Sequence, residues 1–273
     1  MHRRALDGHP AYPARASIGG MQNVPWRVPH PSYTPTFFTH PSIVDAKWAD
    51  KDITTMTSEQ RDQLRFRRSK SGRSVSTLAC LGFVNQSGLP RNPVGRTGMC
   101  GRGLLGRYGP NFAADPIVTR HKPGDPSTLQ MVTITRRDTG ELAIPGGMVE
   151  CDETVSDTLR KEFKEEALRS KEGNPKMTME LQAKIDTVFQ KGGIMIYSGY
   201  VDDPRNTDDA WMETEVRLFH LDADLAAQIP LEAGDDAHSV AWVDLTPEMR
   251  LYASHKDWVD MVRHRARFRS FGK

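Results

Sequence analysis

Gly146-Gly147-Met148-Val149-Glu150-Cys151-Asp152-Glu153-Thr154-Val155-Ser156-Asp157-Thr158-Leu159-Arg160-Lys161-Glu162-Phe163-Lys164-Glu165-Glu166-Ala167-Leu168 opens on a glycine pair and continues into a segment with helical spacing. Glu162, Glu165 and Glu166 stand three and four positions apart, which places them on one helix face within about one turn. Like charges at that spacing destabilise a helix by a few tenths of a kcal/mol. A cation between them reverses the sign, and carboxylate oxygens suit a hard divalent ion held jointly with substrate phosphates. Taken alone, an E-x-x-E-E turn reads equally as a solvated helix face, since Glu is a good helix former.

Composition narrows the function classes. The chain has 273 residues, net charge +2 and 26% charged residues, so bulk charge does not select a polyanionic partner such as nucleic acid. No apolar run approaches the roughly 18 residues that a membrane span needs. The cysteines are three, Cys80, Cys100 and Cys151, an odd set without zinc spacing, which predicts reduced thiols in an intracellular protein. Residues 1–23 begin with Arg3, Arg4 and Arg15 against a single acid, Asp7. That bias suits an organelle transit segment, but its glycines and prolines predict a flexible tail instead. Mitochondrion and cytosol both stay open.

Residues 25–42 combine dense proline with Trp26, Tyr33, Phe37 and Phe38, predicting an extended segment pinned against another surface. Residues 48–70 are polar and predict loop with a short helix. Residues 91–111 hold six glycines and four arginines. Two readings stand side by side: backbone and guanidinium groups gathered on a phosphate, or a glycine-rich turn region whose arginines pair with acids of the other domain. Farther on, strands are predicted at 116–120, 129–137, 193–201, 213–221 and 240–243, and helices at 177–190, 246–254 and 256–269. Their interleaving predicts an α/β sandwich.

Three later stretches carry chemistry. Asp203-Pro204-Arg205 offers a ribose acceptor and a phosphate fork, or a turn held by its own Asx hydrogen bonds. Leu231-Glu232-Ala233-Gly234-Asp235-Asp236 is an acidic loop before a strand. Leu251-Tyr252-Ala253-Ser254-His255 places a phenol and an imidazole near the last helix.

The opening segment resembles the signature of the Nudix hydrolases, G-x5-E-x7-R-E-U-x-E-E-x-G-U, where U is bulky and apolar. Gly147, Glu153, Glu162, Phe163, Glu165 and Glu166 fall in place; Lys161, Leu168 and Arg169 depart. Further segments are N-P-V-G-R-T-G at 92–98, G-R-G-L-L-G-R at 101–107, A-I-P-G-G-M-V at 143–149, G-Y-V-D-D-P-R-N-T-D at 199–208, L-E-A-G-D-D-A at 231–237 and L-Y-A-S-H at 251–255. Together they are similar to one branch, the ADP-ribose pyrophosphatases of the animal mitochondrial type, in which Leu at the position of Leu168 is usual. A sister domain lies in ADP-ribose-gated melastatin-type TRP channels, some of which have lost the helix acids. Those acids are present here.

The resemblance implies a Nudix α/β/α sandwich (residues 113–273) preceded by a smaller N-terminal domain (24–112). It implies hydrolysis of ADP-ribose to AMP and ribose 5-phosphate. Mg²⁺, replaceable by Mn²⁺, is implied on Glu162, Glu165, Glu166 and the Gly147 carbonyl, and Glu153 is implied as a brace paired with Lys161. Asp203, Arg205, Tyr252, His255, Asp115 and Ile144 are implied as substrate contacts. Glu232 is the favoured general base over Asp235 and Asp236. No nucleic-acid partner and no direct membrane insertion are expected. Membership of a larger channel protein stays open as the alternative.

Overall fold

The computed structural model describes residues 3–57, 59–60, 89–137, 139–150, 153–168, 178–234 and 237–268. Cys80, Cys151, Asp235, Asp236 and most of the short helix expected within 48–70 lie outside them. The chain divides into two compact units, Met1–Phe112 with Gly199–Glu213, and Ala113–Ser198 with Thr214–Lys273. The Asp203-Pro204-Arg205 stretch therefore belongs to the first unit, although its position in the chain predicts the second.

Where a tail is expected, the first unit has helix α1 (Arg3–Asp7). The amides of Arg3, Arg4 and Ala5 donate to the Asp202 carboxylate at 2.8, 3.1 and 3.0 Å, satisfying N–H groups that a helix start leaves open. Arg15 Nη2 donates to the carbonyls of Pro204 and Asn206. Side-chain partners far along the chain thus supply order that local composition does not announce. The proline-rich segment forms strand β1 (Thr36–Thr39) and helix α2 (Pro41–Val44). β1 pairs in parallel with β2 (Met99–Gly103).

The arginines of 91–111 are spent inside this unit. Arg96 donates to the carbonyls of Asn23, Pro25 and Val28 and lies over the Trp26 ring. Arg107 pairs with Asp50 at 2.7 Å, and the fully buried Arg102 reaches the Asp50 carbonyl and Asp52. These arginines serve a turn region, but their partners are backbone carbonyls and two acids of the first unit itself, not acids of the other domain as expected.

At the centre of the unit Asp208 is buried and accepts from Tyr33 Oη (2.7 Å), Thr97 N (2.7 Å) and Thr97 Oγ1 (2.9 Å). Burial pushes its pKa up to about 7; the neighbouring Asp209 adds to the rise, while the donors oppose it. A carboxyl that holds its proton more tightly when folded contributes stability that is fully present below its unfolded pKa, near 4, and lost as pH climbs through about 7. The wild-type melting temperature should therefore fall relative to Asp208→Asn by a few degrees between about pH 5 and pH 8. About 1 kcal/mol moves Tm by about 2–4 °C in a chain of this size. Parallel thermal melts of the two proteins check this; a constant offset across that range means Asp208 does not titrate there.

Among the described residues, a seven-stranded sheet supplies most of the strands of the second unit. Its strands are β3 (Gly109–Lys122), β4 (Asp125–Arg136), β5 (Leu142–Ala143), β6 (Gly147–Met148), β7 (Ile194–Tyr200), β8 (Ala210–His220) and β9 (Ala237–Asp244). The order is β5-β4-β3-β8-β7, with β6 beside β3 and β9 beside β4. β3 and β4 form an antiparallel hairpin with Thr119 opposite Met131. β3 runs well beyond the expected 116–120. The strand carries Pro110 and Pro116 within its length.

The helices are α3 (Val155–Glu162), α4 (Met179–Gln190), α5 (Ala223–Gln228) and α6 (His255–Phe268). A π-helical turn, Phe163–Ala167, continues α3. Thr154 and Asp157 close a capping box at the start of α3. Such a cap contributes about 1 kcal/mol. Burying Leu159 and Phe163 contributes roughly 2–3 kcal/mol each, so packing outweighs the cap. These residues join Ala114, Val118 and Val132 of the sheet and Leu181, Ile185 and Phe189 of α4 in one core. Phe163, Phe189 and Phe219 stack at 5.5 and 4.3 Å. The helix expected at 246–254 is instead a run of turns: Ala253 has φ 44°, which no right-handed helix accepts.

Candidate active site

Most of the candidate residues of the second unit meet on one strip, Leu142 to Gly147, which passes from β5 to β6. Tyr252 N donates to the Leu142 carbonyl at 2.8 Å. Ile144 N donates to His255 Nδ1 at 2.9 Å. Asp115 packs against the Cα of Gly146 and accepts a hydrogen bond from Thr214 Oγ1. Gly146 N donates to Glu166 Oε2 at 2.8 Å. A Cβ on Gly147 would stand 2.4 Å from Glu162 Oε1. A side chain there would displace the carboxylate, so the glycine pair and the helix acids pack as one arrangement.

Glu153 braces the entry to the helix. Lys161 Nζ donates to Glu153 Oε1 (2.8 Å) and to Glu150 Oε1 (2.9 Å), and Thr158 Oγ1 donates to Glu153 Oε2 (2.9 Å). Burial raises the Glu153 pKa, but the bonds from Lys161 and Thr158 outweigh it and hold the carboxyl below its ordinary value. The Lys161 ammonium is pushed up, chiefly by its bond to Glu153. The expected pairing therefore forms without Arg's planar fork.

The acidic loop closes on the other side. Glu232 N donates to the Ala167 carbonyl at 2.9 Å, and Gly234 N donates to the Glu166 carbonyl at 3.2 Å. Leu168 and Glu232 form an isolated parallel bridge. The backbone of Glu232 is thus fastened just past Glu165 and Glu166.

Asp203 and Arg205 stand in the first unit, paired with each other. Arg205 Nε and Nη2 donate to the two Asp203 oxygens at 2.8 Å each, and Arg205 N donates to Oδ1 at 2.8 Å. Burial raises the Asp203 pKa, and the Arg205 guanidinium more than reverses it. This is the Asx-held turn, with the fork already filled. The sequence reading missed Thr214, 99 residues from the Asp115 it braces. It also missed Arg136, whose guanidinium lies 4.4 Å over the Tyr252 ring. No spacing rule links such pairs.

Residues 118–261 match the Nudix domain family, and residues 20–109 match the family described as NUDT9-like, N-terminal domain. The chain belongs to the Nudix hydrolases. It is 43% identical to the mitochondrial ADP-ribose pyrophosphatase of Rattus norvegicus over 88% of this chain and 71% of the relative. It is 41% identical to a nudix hydrolase of Caenorhabditis elegans over 88% of this chain and 87% of that protein. A transient receptor potential cation channel subfamily M member-like 2 of Nematostella vectensis is 44% identical over 88% of this chain but only 16% of the channel-like protein. Among the described residues no helix is long and apolar enough to cross a membrane.

Nudix hydrolases generally use divalent metal ions. The donor chemistry here fits a hard divalent cation: three carboxylates on neighbouring turns, with Glu162 and Glu166 both directed at the Gly146–Gly147 backbone. Among the described residues no three His, Cys, Asp or Glu side chains converge as a cluster that could hold an ion.

Proposed function

We propose that this Nudix hydrolase cleaves the pyrophosphate bond of ADP-ribose, giving AMP and ribose 5-phosphate, with Mg²⁺ as its cation and Mn²⁺ as a substitute. The observation that carries the reading is the seating of Glu162 and Glu166 on the Gly146–Gly147 strip. The identity with the rat pyrophosphatase supports the choice of substrate.

Glu162, Glu165, Glu166 and the Gly147 carbonyl would hold the cation, which neutralises diphosphate charge and acidifies water when bound. Glu153, tied to Lys161, keeps the helix entry in place. Asp115, braced by Thr214, keeps the Gly146 turn against the acids. Tyr252 and His255, fastened to Leu142 and Ile144, contact the ligand. Glu232 removes the proton from the attacking water as its oxygen bonds to phosphorus. The bridging oxygen leaves with the other phosphoryl group. Asp203 and Arg205, implied by the resemblance as ligand contacts, already pair with each other, and the reaction proposed here uses neither.

Incubating purified protein with ADP-ribose and Mg²⁺ and assaying both products tests this. AMP and ribose 5-phosphate in equal amounts is the expected result. The channel relative favours a second reading, a domain that binds ADP-ribose without cleaving it. Calorimetric binding with no AMP released would support that one.

A further inference from the structure

We infer that Trp258 is a positioning residue that holds His255 as the neutral tautomer protonated on Nε2, so that His255 meets its ligand as a hydrogen-bond donor. The inference rests on the ligand role given to His255 above and adds its chemical sense. The backbone N–H of Ile144 can only donate, and it donates to His255 Nδ1 at 2.9 Å. A neutral imidazole has one N–H and one lone pair. With the lone pair at Nδ1 taken by a fixed donor, the proton must sit on Nε2; an imidazolium would set two hydrogens against each other.

This assignment requires that the ring not rotate, and aromatic packing supplies the constraint. His255 and Trp258 stand three apart on α6, on one face of the helix. Their rings stack at 5.1 Å and 28°. Trp258 is itself buried and stacks on Tyr197 of β7 at 5.9 Å and 26°. The edge of the column is closed by Tyr252, 5.7 Å from His255 at 87°. Arg136 in turn covers the Tyr252 ring at 4.4 Å. The side chains of β7, α6 and the 252–255 turn thus give one histidine a single orientation.

The test uses the whole chain with ¹⁵N-labelled histidine and multiple-bond ¹H–¹⁵N correlation at pH 7. His255→Gln identifies the His255 signals among the nine histidines. Wild type and Trp258→Phe, which keeps a stacking ring, should show a pyridine-type Nδ1 and a pyrrole-type Nε2. Trp258→Leu should draw the two nitrogen signals toward each other. It should also raise KM for ADP-ribose about 10-fold, the size of one hydrogen bond, with kcat within about twofold. A pyrrole-type Nδ1 in the wild type overturns the tautomer. A wild-type pattern and KM in Trp258→Leu overturns the role of Trp258. Tyr197→Leu, at the far end of the column, is read in the same way should Trp258→Leu not fold. If the wild type fails to cleave ADP-ribose, the substrate reading falls while the nitrogen pattern still stands or falls by itself.

Discussion

Glu162→Gln and Glu166→Gln should each lower kcat toward ADP-ribose by at least about 100-fold, the usual cost of removing one electrostatic element from a preorganised site. The substitutions keep side-chain length. In Glu166→Gln the amide oxygen can still accept from Gly146 N, which donates to Glu166 Oε2 in the wild type. Neither change opens a cavity, and each removes one negative charge from a crowded turn. Thermal stability should accordingly stay at the wild-type level or rise slightly. ADP-ribose affinity should fall less than turnover, because the acids act mainly where charge builds up in the transition state. Rates of AMP release, with calorimetry on the same proteins, separate the two effects. Wild-type turnover in both variants would remove the carboxylate turn from the mechanism.

The helix was legible because its signal is local. Glu162, Glu165 and Glu166 recur at helical spacing, and the alternation of strands and helices around them announces an α/β sheet. What local reading does not reach is the partner of each acid. That Glu162 packs on Gly147 and that Asp115 is braced by Thr214 depends on strands adjacent only after folding. The π-helical turn at Phe163–Ala167 is equally hidden, since its i→i+5 bonding leaves no periodic mark in five residues. The first unit was harder still. Its order rests on long-range bonds such as Arg15 to Pro204 and Tyr33 to Asp208, so a start that reads as a flexible tail and a proline-rich stretch that reads as pinned are both fastened by groups more than a hundred residues away. The arginines of 91–111 show the same limit: a guanidinium suits a phosphate and a backbone carbonyl equally, and only the fold chooses.

Glu232→Gln should lower kcat by about 10²–10⁴-fold and abolish the acidic limb of the pH–rate profile, because a general base works only when deprotonated and its rate falls as pH drops through its pKa. The argument for Glu232 is positional. Its backbone is fastened to Ala167 and Leu168, one residue beyond Glu166, so its side chain starts beside the carboxylate turn. The fastening depends on Gly234: a Cβ there would stand 2.1 Å from the Glu165 carbonyl oxygen, a backbone atom that cannot move aside alone. Gly234→Ala should therefore push the loop off the turn and reproduce the loss of turnover, about 100-fold, while Glu232 itself remains. The two variants differ in stability. Glu232→Gln should melt with the wild type, and Gly234→Ala should melt several degrees lower, as overpacking that shifts backbone costs about 1–3 kcal/mol. Asp235→Asn and Asp236→Asn, in the same loop, should keep the acidic limb. If instead one of them loses it and Glu232→Gln does not, the base is that aspartate. If all three keep it, proton removal does not belong to this loop, and activation of water by the cation alone becomes the better account.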